Sequence, residues 1–144
     1  MKILIKGGRV VDPKNDFDKV ADVLVDNGVI SEIGENINAN GDVTVIDAEG
    51  KIVSPGLVDM HSHLRDPGQE YKEDIESGTR SAAMGGITSI ACMPNTKPVT
   101  DSEPIVTYIK TKAKEVGHVN VYPIGSISKG LEGKIGRASC RERV

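Results

Sequence analysis

The chain has 144 residues, 38% of them hydrophobic and 27% charged, with a formal net charge of −3. That is enough chain for one domain with a core, in a composition typical of soluble globular proteins. The negative charge and the 3% aromatic content exclude a general nucleic-acid binder with stacking platforms. No apolar run reaches the roughly 18 residues that a membrane span needs, so no membrane partner is expected. Met1 to Ile5 lacks the apolar centre of a secretory leader, which gives a cytoplasmic expectation. Cys92 and Cys140 form no spaced pair and suggest no disulfide framework.

The first 52 residues read as short strands joined by tight turns. Met1 to Ile5 is a strand, and Gly7-Gly8 reads as a turn. Val20 to Asp26 and Val29 to Ile33 flank Asn27-Gly28, a pair that suits a type I′ hairpin because both central residues need positive φ. Val43 to Asp47 is a further strand, closed by Glu49-Gly50. Gly7-Gly8 lacks the spacing and the following helix of a phosphate loop. The pattern changes after Lys51. An apolar stretch, Ile52 to Val58, is broken by Ser54-Pro55-Gly56 and leads into Asp59-Met60-His61-Ser62-His63. A polar loop runs from Arg65 to Asp74. Ile75 to Met84 has helical spacing and ends at Gly85-Gly86. Ile87 to Met93 is a buried strand, stopped by the loop Pro94 to Pro98. Glu103 to Val116 is a helix with Pro104 in its first turn, and Val119 to Ile124 is a third strand. Strand–helix–strand–helix–strand with short links predicts parallel βαβ units, in either an open sheet or a barrel.

The last ten residues differ from the rest. Residues 135–144 hold three arginines, whereas the preceding 134 hold only Arg9, Arg65 and Arg80. The codons ATC GGA AGA GCG TCG TGT AGG GAA AGA GTG would encode this stretch and match a common sequencing-adapter read. The expectation is that the genuine frame leaves its own DNA near Lys134, so that Cys140 and the tail arginines carry no function. A natural basic tail is the alternative.

Chemistry concentrates at two strand ends. His61 and His63 stand at i and i+2, which in a strand point to one face, so two imidazoles can converge on one cation. Two ordinary loop histidines would have the same spacing. Arg65 follows at the same interval. Its planar fork can take a carboxylate in bidentate fashion, or pair on the surface with Asp66 or Glu70. Asn95 follows the next strand directly and can donate and accept, although a plain turn residue would also sit between two prolines. Cys92 reads as a small buried hydrophobe and His118 as a surface residue. Nothing in the spacing of Asp59 or Asp66 makes either a general base.

The run His61-Ser62-His63-Leu64-Arg65-Asp66-Pro67-Gly68-Gln69 resembles the dihydroorotases. Cys92-Met93-Pro94-Asn95-Thr96 and Gly85-Gly86-Ile87-Thr88 fit the same family, in its bacterial form. The lead-in Ser54-Pro55-Gly56-Leu57-Val58-Asp59-Met60-His61 is shared more widely among amidohydrolases. The resemblance covers residues 1 to about 134. It implies an α/β fold, a metal-dependent (β/α)8 TIM barrel preceded by a small β-sandwich segment. Residues 1–52 would be the N-terminal part of that composite sandwich, 53–134 the first three βα units, and 135–144 the adapter-derived tail. It implies His61 and His63 as zinc ligands, with one or two zinc ions per subunit. His63, Arg65 and Asn95 would contact the substrate, Arg65 through its carboxylate. The implied reaction is the reversible, zinc-dependent cyclisation of N-carbamoyl-L-aspartate to L-dihydroorotate in pyrimidine biosynthesis. In the hydrolytic direction metal-activated water attacks the ring amide carbonyl while a carboxylate moves the proton. Further ligands and the catalytic aspartate are expected beyond residue 134, so the chain is read as truncated and inactive by itself. A homodimer or an association with aspartate transcarbamoylase is the expected assembly. The competing readings are a hydantoinase, dihydropyrimidinase or allantoinase, and a non-catalytic dihydroorotase-like partner. Arg65-Asp66-Pro67-Gly68 and Pro94-Asn95-Thr96 favour dihydroorotase over the first; the retained histidines argue against the second.

Overall fold

Ile3, Leu4 and Ile5, followed by Val10 and Val11, build a strand longer than the expected five residues. The structure is a computed structural model that describes residues 1–134, and strand β1 in it spans Lys2–Asp12. The expected turn at Gly7-Gly8 is not made. Strand β2 (Phe17–Asp26) pairs antiparallel with β1 throughout, and the register shifts between Ile5 and Gly8. Lys6 and Gly7 together oppose Asp22 and form a bulge, after which Gly8 pairs with Ala21. Gly7 adopts φ +72°, and its N–H donates to Asp22 Oδ1 at 2.8 Å. A Cβ on Gly8 would lie 2.6 Å from Val53 Cγ2. A glycine pair suits a reversal or a bulge equally, because both need the same conformational freedom. The buried Asp22 carboxylate also accepts from Ile37 N at 3.1 Å, so both its oxygens are used.

The chain turns instead at Pro13–Asn15, a 3-10 turn in which Asp12 accepts from Lys14 N and Asp16 is left-handed. Strand β3 (Val29–Gly34) completes a hairpin with β2, and Asn27 and Gly28 take φ 49° and 82°, as the Asn-Gly pair predicts. Strands β4 (Val43–Asp47) and β5 (Ile52–Val53) both pair parallel with β1. The sheet order is β3-β2-β1-β4, with β5 continuing alongside β1. Its core is Val10, Ala21 and Val23. This compact unit is Met1–Pro55, and the second begins at Gly56.

In the second unit the strands are β6 (Leu57–Ser62), β7 (Ile87–Cys92) and β8 (Asn120–Pro123), paired in parallel in that order. Helices α1 (Ile75–Met84) and α2 (Glu103–Val116) connect them, with the limits their periodicity predicts. Asp74 caps α1 by accepting from Ser77 N at 2.7 Å, while the Ser77 hydroxyl accepts from Asp74 N. Gly86, at φ +76°, ends it. Ile90 and Cys92 alternate along β7 and face the helices, where they pack with Leu64, Ile75 and Ile109. Ile75, Ile90 and Ile109 are fully buried, and each such burial is worth roughly 1.5–3 kcal/mol. This parallel framework brings the ends of β6 and β7 side by side. The ten-residue tail lies outside the described residues.

Candidate metal and substrate site

Strand β6 stops at Ser62, one residue before His63. Its register against β7 shifts between Asp59 and Ser62, so the histidines do not stand on a straight strand. Asp59 builds this irregularity. Its Oδ1 accepts from His61 N at 2.9 Å, and its Oδ2 accepts from Ser62 Oγ at 2.6 Å. These bonds, the Ser62 hydroxyl first, hold the Asp59 carboxyl below the usual carboxylate range. Met93 N donates to Ser62 O at 2.8 Å, which ties the ends of β6 and β7 together. The outcome is a close pair of imidazoles, with ring centroids 5.3 Å apart and planes at 67°.

Asn95, just past β7, reaches the second imidazole. Its Oδ1 lies 2.9 Å from His63 Nδ1. An amide oxygen only accepts, so Nδ1 is the donor in this contact, and in the neutral ring that leaves the lone pair on Nε2. A metal-ligating histidine needs that arrangement, because a second partner on the far nitrogen fixes the tautomer and the ring. Two neutral imidazole nitrogens are donors that zinc accepts. Among the described residues no group of three or more His, Cys, Asp or Glu side chains is placed to hold a metal.

Arg65 is half-buried and left-handed, with φ 61°. It pairs with neither neighbouring acid. Glu70 accepts from Gly68 N at 2.7 Å, and Asp66 turns inward. Among the described residues the only ion pairs are Arg9–Asp18 and Lys112–Asp66. The loop after Arg65 is stitched to the loop that carries Asn95. Gln69 N donates to Arg65 O at 2.9 Å, Gln69 Nε2 to Asn95 O at 3.2 Å, and Lys97 N to Pro67 O at 2.9 Å. Gly68 sits at φ +92°, where a Cβ would run into the Lys97 carbonyl.

Tyr108 and Lys112 carried no signal in the sequence, and Asp66 and Gln69 stood there only as members of the motif, without these partners. Asp66 is 1% exposed; Tyr108 Oη donates to it at 3.0 Å and Lys112 Nζ contacts it at 2.6 Å. Tyr108 and Lys112 stand at i and i+4 on α2, so they share a face, but nothing local reveals their distant partner. Asp59 and Asp66 are thus both committed to hydrogen bonds within the fold. Cys92 is 4% exposed, and burial pushes its thiol up to about 11, which suits a packing role. His118 is exposed between α2 and β8, and its N–H donates to Thr79 Oγ1.

A parallel sheet crossed by helices, with a histidine pair at the end of its first strand, has the architecture of the amidohydrolase fold. A sequence profile of the Dihydro-orotase-like family matches residues 50–136, and the chain belongs to that family. The dihydroorotase of Acetivibrio thermocellus is 65% identical over 133 residues, which is 92% of this chain and 31% of that protein. The dihydroorotase of Geobacter metallireducens is 57% identical over 135 residues, 94% of this chain and 32% of that protein. The chain thus spans about a third of the length of these relatives. Among solved structures, the L-hydantoinase (dihydropyrimidinase) from Arthrobacter aurescens superposes with a TM-score of 0.79 and 32% identity, over 88% of this chain and 28% of that one. The dihydropyrimidinase from Brevibacillus agri gives 0.75 and 30%, over 92% and 28%.

Proposed function

We propose that this chain belongs to a zinc-dependent dihydroorotase that interconverts N-carbamoyl-L-aspartate and L-dihydroorotate in pyrimidine biosynthesis. The observation that carries the proposal is the contact of His63 with Asn95, which joins the two motifs into one site. His61 and His63 would hold the metal through their imidazole nitrogens. A bound zinc ion supplies Lewis acidity, polarising the amide carbonyl and making water nucleophilic near neutral pH. Arg65 binds the substrate carboxylate as a planar fork, free of competition from Asp66 and Glu70. Asn95 holds the His63 ring through its oxygen and offers its amide N–H to the substrate. The Gln69–Asn95 and Lys97–Pro67 bonds keep these two groups at a fixed separation, which is how positioning lowers a barrier.

The hydantoinase or dihydropyrimidinase reading draws on the fold likeness. Their substrates lack the carboxylate that an unpaired Arg65 suits, which favours dihydroorotase. The barrel with its composite sandwich, a cytoplasmic location, and a homodimer or a complex with aspartate transcarbamoylase complete the proposal. No helix among the described residues is long and apolar enough to cross a membrane. The test is to extend the frame past Lys134 from source DNA, express the product and assay it. Turnover of L-dihydroorotate that a chelator abolishes is expected. Turnover of hydantoin or dihydrouracil without dihydroorotate would assign the protein to the other branch.

A further inference from the structure

We infer that Asp66, Lys112 and Tyr108 form a positioning network that keeps Arg65 free for the substrate carboxylate. The inference rests on the dihydroorotase reading and adds residues to its site. Asp66 is the immediate neighbour of Arg65, and an acid beside a guanidinium is its natural partner. The structure shows another arrangement. Asp66 is 1% exposed, with Oδ1 accepting from Tyr108 Oη at 3.0 Å and Oδ2 paired with Lys112 Nζ at 2.6 Å. Ile75 N, in the first turn of α1, also donates to Oδ2 at 3.4 Å. A carboxylate taken out of water needs such partners, and here all of them come from the two helices. The charge of Asp66 is therefore spent on Lys112, not on Arg65.

The backbone supports this division. Arg65 is left-handed at φ 61°, a conformation that an L side chain keeps only where its surroundings hold it. On one side Asp66 is pinned to α2. On the other, Gln69 N holds the Arg65 carbonyl at 2.9 Å, and Lys97 N holds Pro67 O at 2.9 Å. Arg65 stands between two anchored segments with its guanidinium in no ion pair among the described residues. Loss of the Lys112 charge leaves Asp66 buried and under-compensated one residue away. Arg65, its neighbour in the chain, is then a cation in no other ion pair among the described residues and can answer it. That guanidinium turns inward, and the external carboxylate loses its fork.

The test uses the full-length, zinc-loaded enzyme with Lys112→Met, Lys112→Arg and Tyr108→Phe. For Lys112→Met the KM for L-dihydroorotate rises about tenfold, the size expected for a lost charge-assisted contact, while kcat stays within about twofold. Lys112→Arg restores KM, and Tyr108→Phe gives a smaller rise. Binding of L-dihydroorotate to the metal-stripped enzyme, followed by calorimetry, weakens in the same order. An unchanged KM and Kd in a folded Lys112→Met protein overturn the inference. So does a fall in kcat and melting temperature with KM constant, which marks a purely structural role. Should Lys112→Met fail to fold, Tyr108→Phe removes one hydroxyl only and decides alone. A wild-type enzyme that does not turn over dihydroorotate refutes the function reading itself, and this inference with it.

Discussion

Gly68 is the residue on which the two site loops meet. Its φ of +92° and the Lys97 carbonyl over its Cα leave no room for a side chain. Gly68→Ala must bend this junction or pull the loops apart, at a cost of about 1–3 kcal/mol. The expected result is a lower unfolding midpoint of the intact enzyme together with weaker substrate binding; an unchanged midpoint would falsify the close approach. Asp74 works differently. It caps α1, and the Ser77 amide holds its carboxyl below the usual range. A depressed folded value means that the cap stabilises above the unfolded carboxylate pKa. That contribution is lost as pH falls through the folded value. Asp74→Ala is expected to cost about 1 kcal/mol at neutral pH and nearly nothing in strong acid, as read from denaturant melts at both. Among the site residues, the histidine pair stood out by its spacing, but the strand that spacing assumes ends at Ser62, and the Asp59 bonds shape the chain that carries the two rings. The link from Asn95 to His63 spans 32 positions, so its place after a strand could mark Asn95 but only the family likeness gave it a role.

Helices α1 and α2 were legible because their apolar spacing is punctuated locally, by Gly85-Gly86 after α1 and by Pro104 in the first turn of α2. The N-terminal strands were less so. A glycine pair marks either a turn or a bulge, and the partner strand decides which. The parallel pairing of β4 with β1 depends on residues some 40 positions apart, beyond any local pattern. The docking of α2 on the Arg65 loop belongs to the same class of distant contact, and it makes a prediction about alkaline pH. The hydrogen bond to Asp66 raises Lys112 from its ordinary 10.5 to about 12. Tyr108 is also raised, by burial first and then by Asp66. A raised folded value gives stability that is whole below the unfolded pKa and lost as pH climbs through the folded one. The melting advantage of wild type over Lys112→Met should therefore be whole below about pH 10, shrink above it and be lost as pH passes through about 12. A constant difference over that range would mean that packing of the lysine stem, and not its charge, holds the helix.

Apolar surface decides how the chain behaves when it stands alone. Val58, Met60 and Met84 are 64%, 77% and 86% exposed, and Val29, Ile30 and Ile52 are 60–68% exposed in the first unit. Strands β6 and β8 both end their sheet with an unpaired edge. Folded monomers seldom present so much apolar surface beside open strand edges, since both invite pairing with another chain. The relatives are about three times as long, and in them the further sequence has the means to cover such faces. Two imidazoles alone also leave zinc short of the three or four protein ligands it usually takes. The 144-residue chain should accordingly elute as self-associated species in gel filtration and bind zinc far more weakly than the extended protein in equilibrium dialysis. It should show no turnover of L-dihydroorotate. A monodisperse monomer with tight zinc binding would mean that residues 1–134 complete their own metal shell and cover their own edges, and the site would then have to be rebuilt from this chain alone.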